Sequence, residues 1–209
     1  MDEKVTAVLD AYHERIRQEG ERFRAMAGGG GPPPGEDWRD QVLLAVGPET
    51  GRLMNIMVRS LEKPTILEVG TSFGYSGIWL AEAARATGGR VITLELARHK
   101  QDHARQMAER AGLADFIDFR LGDARELIAA LDVKIDFVLL DLWKDLYIPC
   151  LDLFFPKLNP GAIIVADNML RPGGELMQQY ADAVRAKPGM ASVLLPVGSG
   201  LEISRLEPR

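Results

Sequence analysis

Cysteine is almost missing from this sequence. The 209 residues include one, Cys150, so no intrachain disulfide can form and no cysteine-built zinc site exists. Such a residue reads as a small buried apolar side chain. Positive charge is also scarce. Lys and Arg number 25 against 30 Asp and Glu, a net charge of -5, which argues against a nucleic-acid binder with its basic face. No stretch has the roughly 18 consecutive apolar residues of a membrane span. The opening Met1-Asp2-Glu3-Lys4 lacks the apolar run of a signal peptide. These absences lead to the expectation of a cytoplasmic protein without nucleic-acid or membrane partners. Histidine is sparse too. His99 and His103 stand four apart, but without the Glu of a His-Glu-x2-His motif. Their segment, Arg98-His99-Lys100-Gln101-Asp102-His103, reads as a solvated helix face.

What is present suits a full core. Apolar residues make up 46% of the chain, and its length fits one α/β domain with a small N-terminal addition. Val5, Val8, Leu9, Tyr12 and Ile16 recur at helical spacing, so residues 3–27 read as a helix. The run Gly28-Gly29-Gly30-Gly31-Pro32-Pro33-Pro34-Gly35 stops it, as a surface loop or as a lid over a ligand. Further helices are expected over residues 37–45 and 48–61. From Thr65 the pattern alternates. Strands are expected at 65–69, 90–96, 117–121, 135–141 and 162–166. Helices follow them, ending near 87 and then covering 99–111, 124–131, 147–156 and 173–186. Segments 192–196 and 201–206 close a hairpin around Val197-Gly198-Ser199-Gly200. The expected fold is α/β, Rossmann-like and doubly wound. It has a mostly parallel seven-stranded sheet with helices on both faces and an antiparallel C-terminal β-hairpin. The reading divides the chain into a helical cap, 1–60, and a core, 61–209, forming a single globular unit.

Two apolar runs end in oxygen-bearing side chains. Phe137-Val138-Leu139-Leu140 ends in Asp141, and Ala162-Ile163-Ile164-Val165-Ala166 ends in Asp167-Asn168. In an open α/β sheet, ligands bind outside the carboxyl ends of the strands. An oxygen-only set suits a hard cation, Mg2+, Mn2+ or Ca2+, and leaves coordination positions open. The alternative is that Asp141 caps the next segment and Asp167-Asn168 merely turns the chain. Lys144, three residues past Asp141, lies where a cation would favour its neutral form. A neutral amine there can act as a general base. An ordinary exposed lysine is the alternative.

Glu68-Val69-Gly70-Thr71-Ser72-Phe73-Gly74-Tyr75-Ser76-Gly77 forms a strand-to-helix turn. Gly70 allows the tight turn, and Gly74 would let a ligand approach the backbone. The spacing differs from the Gly-x-Gly-x2-Gly dinucleotide fingerprint, which serves a pyrophosphate. Ser76, on the first helical turn, suits a smaller anion such as an amino-acid carboxylate. Glu95 ends the second strand, where an acidic residue accepts from a ribose diol. Gly122-Asp123-Ala124 ends the third, where adenine could be read by side chain or backbone. An adenosine ligand carrying a carboxylate is S-adenosylmethionine.

Leu140-Asp141-Leu142-Trp143-Lys144-Asp145-Leu146-Tyr147 resembles the corresponding stretch of the catechol O-methyltransferases. Glu68 to Ser76 resembles their cofactor motif, and Ala166-Asp167-Asn168 their second metal motif. The likeness runs from about Val46 to the C-terminal hairpin. It extends to other cation-dependent O-methyltransferases, including those acting on caffeoyl-coenzyme A. It implies that Asp141, Asp167 and Asn168 bind the cation, Mg2+ or Mn2+/Ca2+, and that Lys144 is the catalytic base. It further implies that Gly70, Ser72, Ser76 and Glu95 hold S-adenosylmethionine. Backbone near Val46, Asp123 and Ala124 would complete that pocket, alongside Asp141. Glu68 would support the turn from behind, and Trp143 would flank the adenine or the pocket wall. Leu142 stands where the animal catechol enzymes have a histidine, and Ala124 where they have a serine; these departures bear on substrate more than on chemistry. Glu202 could supply a carboxylate for a second substrate hydroxyl. The expected substrate is a small phenol with vicinal hydroxyls, with Met169 to Gly174 and the Gly28–Gly35 loop shaping the entrance. A homodimer is among the expectations, with the N-terminal helix contributing. A nicotinamide-dependent oxidoreductase is disfavoured by the turn spacing and by the lack of a Tyr-x3-Lys pair. A non-catalytic cofactor-binding module is disfavoured by Lys144 and the complete oxygen set.

Overall fold

Strands β1 (Thr65–Val69), β2 (Arg90–Glu95) and β4 (Ile135–Leu140) are buried over almost their whole length. Helices cover both faces, which is why their sequences do not alternate. The structure is a computed structural model and describes residues 1–27 and 41–208. The other strands are β3 (Ile117–Leu121), β5 (Leu158–Ala166), β6 (Met190–Leu195) and β7 (Leu201–Leu206). The sheet order is β3-β2-β1-β4-β5-β7-β6. Pairing is parallel from β3 to β5, and β7 is antiparallel to both β5 and β6. The helices are α1 (Glu3–Ala27), α2 (Pro48–Arg59), α3 (Tyr75–Thr87), α4 (Arg98–Arg110), α5 (Ala124–Ala129), α6 (Tyr147–Phe154) and α7 (Glu175–Arg185). The doubly wound fold read from the sequence is the observed one. Among the described residues, no helix is long and apolar enough to cross a membrane.

Side chains of successive strand residues go to opposite faces, and two cores result. Phe137, Leu139 and Val165 pack with Tyr12, Met54 and Ile78 on one face. Val138, Leu140 and Ile164 pack with Tyr147, Phe154 and Tyr180 on the other. Register then sets up the site. Val69 pairs with both Leu94 and Leu140, and Leu140 pairs with Ala166. The four strands therefore end level, and Gly70, Glu95, Asp141 and Asp167 emerge along one edge.

Two expectations need correction. Residues 41–45 form a turn and irregular chain, not a helix. The side chains of α1 take their backbone groups: Arg15 donates to the Gln41 carbonyl at 3.0 Å, and Glu19 accepts from the Leu43 N–H at 2.9 Å. The expected residues 37–40 of that helix, and the Gly28–Gly35 loop, lie outside the described residues. Strand β5 begins at Leu158, earlier than expected. Its register shifts between Ile135 and Phe137 of β4, opposite Pro160 and Gly161, as suits residues that weaken a ladder.

Candidate active site

A cleft of about 610 Å3 opens over the row of strand ends. Of the residues singled out in the sequence, Gly70, Ser72, Glu95, Asp123, Ala124, Asp141, Trp143, Lys144 and Asn168 line it. Val46, Glu68, Ser76 and Asp167 do not; all four are buried. Leu44, Leu142, Leu146, Pro172 and Ser199 join the lining without having been singled out as site residues. Of these only Pro172 lay in a segment expected at the entrance. Ser199 arrives on the β6–β7 hairpin, a placement that long-range strand pairing decides.

Asp141 follows β4, and Asp167 and Asn168 follow β5. Asn168 has φ 65°, a left-handed conformation that asparagine tolerates. Lys144 sits on a short 3-10 turn, Lys144–Leu146. Its Nζ donates to Asn168 Oδ1, to Tyr147 Oη at 2.8 Å and to Asp141 Oδ1 at 3.5 Å. The Asp141 side chain is 18% exposed, whereas Asp167 is closed off and its Oδ1 has no hydrogen-bond partner. Burial raises the pKa of both carboxyls. The charge of Asp141 adds to the rise at Asp167, while Lys144 opposes it in both. The carboxylates of Asp141 and Asp167, the latter with its orphaned buried Oδ1, and the amide oxygen of Asn168 are donors of the kind a hard cation takes. Among the described residues there is no group of three or more His, Cys, Asp or Glu suited to a metal; the oxygens in question are two carboxylates and an amide.

The glycine turn is held from behind. Glu68 is fully buried and accepts from the Thr93 hydroxyl at 2.5 Å. Ser76 is buried beneath the turn, close enough to Glu68 to affect its carboxyl. Gly70 has φ 102°, and a Cβ there would lie 2.1 Å from the Asp141 carbonyl oxygen. Its glycine is therefore demanded by the crossing of β4 as well as by the turn. Gly74 was expected to admit a ligand. Instead a Cβ there would meet Ala104 Cβ at 2.7 Å and Tyr12 Oη at 3.2 Å, so α4 and α1 are what approach it. Glu95 accepts from the N–H of Ser72 at 2.8 Å through Oε2, and from those of Leu96 and Ala97 at 2.9 Å through Oε1. This holds its carboxylate at the cleft edge. The Asp123 carboxylate caps α5 through the Arg125 N–H and pairs with the Arg125 guanidinium. That pairing holds its pKa well below the usual range and occupies the side chain, leaving the backbone of residues 122–124 at the cleft. Trp143 is 53% exposed, a free aromatic wall at the mouth.

Two other expectations change. Glu202 is fully buried and is held by Arg185 of α7 at 2.8 and 2.9 Å, so it does not reach the cleft. His103 does not belong to a solvated face. Its Nδ1 lies 3.2 Å from the Phe73 carbonyl, its ring is edge-on to Phe73, and burial lowers its pKa.

Residues 67–169 match the family model described as a methyltransferase domain. The chain is 34% identical over 146 residues to a catechol O-methyltransferase of Mycobacterium tuberculosis, covering 69% of this chain and 66% of that protein. That is just short of two thirds of the relative's own length. It is 32% identical over 182 residues to a protein of the same organism named a probable O-methyltransferase, covering 82% of this chain and 76% of the relative. The crystal structure of a Bacillus cereus O-methyltransferase in complex with SAH superimposes with a TM-score of 0.74 at 25% identity. That match covers 99% of this chain and 92% of the other.

Proposed function

This chain belongs to the S-adenosylmethionine-dependent O-methyltransferases that resemble catechol O-methyltransferase, and we propose that it methylates one hydroxyl of a catechol-like or other vicinal-diol phenol with the help of a divalent cation, Mg2+ foremost. The observation that carries this reading is the meeting of Asp141, Asn168 and Lys144 in one cleft with Glu95 and the backbone of Gly122–Ala124. In the reaction the sulfonium S–CH3 bond breaks as the O–CH3 bond forms. The hydroxyl proton passes to Lys144 Nζ, and neutral S-adenosylhomocysteine leaves. A divalent cation held by Asp141, Asp167 and Asn168 would stabilise the charge developing on the oxygen and align the two hydroxyls.

The chain's own residues divide the remaining work. Glu95 offers its carboxylate to the ribose hydroxyls, and the backbone of Asp123 and Ala124 offers its edge to the adenine. Gly70 and Ser72 border the path between them. Trp143 and Leu44, both apolar and half exposed at the cleft mouth, suit a flat aromatic substrate and shield the reacting atoms from water. Ser199 supplies a neutral hydroxyl on the substrate side.

The test is a panel of catechols and simple phenols, read by S-adenosylhomocysteine formation with Mg2+ or with chelator. Vicinal diols are expected to turn over only with the cation. Asp141→Ala should lower that rate by about 10^2-fold or more, the scale for losing one electrostatic contact to a developing oxyanion. Full turnover in chelator would reject the metal role. Cofactor binding without methyl transfer to any phenol would make the chain a binding module.

A further inference from the structure

Tyr147 opens α6 three residues after Lys144, and its ring is fully buried. It stands edge-on to Tyr180, with ring centroids 5.3 Å apart at 85°. Its hydroxyl makes two hydrogen bonds, one to the Asp167 backbone carbonyl at 3.1 Å and one with Lys144 Nζ at 2.8 Å. Their directions are forced. A carbonyl only accepts, so the phenol proton is committed to Asp167 and the phenol oxygen meets Lys144 as an acceptor.

We propose that Tyr147 is the positioning residue for the base, holding one Lys144 N–H so that Nζ is fixed in place at the cleft. The inference rests on the function proposed above. Tyr147 takes an N–H from Lys144 and has no proton to give it, because its own is committed to the Asp167 carbonyl. The other Lys144 contacts, to Asn168 Oδ1 and Asp141 Oδ1, go to oxygens that a cation would claim. Tyr147 is the partner that a cation leaves in place. The same hydroxyl ties the base to the backbone of Asp167, so one rigid aromatic sets the distance between proton acceptor and metal ligands.

Tyr147→Phe removes the hydroxyl and keeps the ring against Tyr180. The expected result is a fall in kcat of about 10- to 100-fold, the scale for losing an outer partner of a site group. KM for the phenol and Kd for S-adenosylmethionine should stay within about twofold. In a Lys144→Ala background the same substitution should change kcat by less than about twofold, because the hydroxyl acts through the amine. A crystal structure of Tyr147→Phe should show Lys144 Nζ displaced, or in more than one rotamer, with Asp167 unmoved. An unchanged kcat would overturn the proposal. So would an equal loss in the Lys144→Ala background, which would assign the hydroxyl to Asp167 and the metal site instead. If the wild-type chain methylates no phenol, the proposed function fails, while the lysine position in that crystal structure still decides this inference.

Discussion

Glu68 is a carboxyl group shut inside an α/β sheet. Thr93 donates to one of its oxygens and is joined in turn to Thr71 at 2.5 Å, while the other oxygen has no partner. Burial pushes its pKa up from 4.5 to about 7, against the smaller opposing effect of the neighbouring Ser76 and Thr93 hydroxyls. The folded state therefore holds this proton more tightly than the unfolded chain does. Stability that is fully present below about pH 4.5 is lost as pH rises to about 7, an effect on the order of 3 kcal/mol. Glu68→Gln cannot ionise, so its melting temperature should change less between pH 5 and 7 than that of the wild type. Equal slopes in thermal melts across that range would rule out the buried carboxyl as the source. The position of Glu68 behind the turn was legible in the sequence. Its shifted protonation was not, because that depends on α3 and β2 closing over the carboxyl together.

The turn from β1 to α3 shows how far an element can be read alone. Its start, its stop and its place at a strand's carboxyl end follow from Glu68 to Gly77. What presses on it comes from far along the chain: Ala104 of α4 and Tyr12 of α1 at Gly74, and the Asp141 carbonyl at Gly70. The sequence order hides those meetings, and Gly74 was accordingly assigned to a ligand. Residues 41–45 escaped prediction for the same reason, since Arg15 and Glu19 decide their conformation. Glu202 was misplaced because the register of β7 against β5 and the reach of Arg185 are both long-range. The level ends of β1, β2, β4 and β5 were legible in outline, because each apolar run stops at a polar residue. Gly74→Ala combines a φ of 95° with a Cβ 2.9 Å from the Ala104 backbone. It should destabilise the protein by about 2–4 kcal/mol, summing backbone strain and overpacking. Urea denaturation would measure this, and a loss under about 1 kcal/mol would mean that α4 yields easily.

At the scale of the whole molecule, α1 is part of the core. Val5, Val8, Leu9 and Tyr12 are all buried with sheet residues, and the Tyr12 hydroxyl donates to the Phe73 carbonyl at 2.6 Å. At roughly 2 kcal/mol for each buried side chain, the four contribute on the order of 8 kcal/mol, comparable to the whole margin of a typical domain. A chain lacking residues 1–16 should therefore show no cooperative melt by circular dichroism. A sharp transition within a few degrees of the full chain would show that α1 is dispensable. Strand β7 lies between β5 and β6 although it follows both in the chain, and this governs the timing of assembly during translation. Asp167 and Asn168 leave the ribosome while one edge of β5 is still bare. That edge is covered only after Leu201–Leu206 has been synthesised and threaded into the gap. The nascent protein is thus exposed to misassociation along β5 until Leu201–Leu206 arrives to cover it.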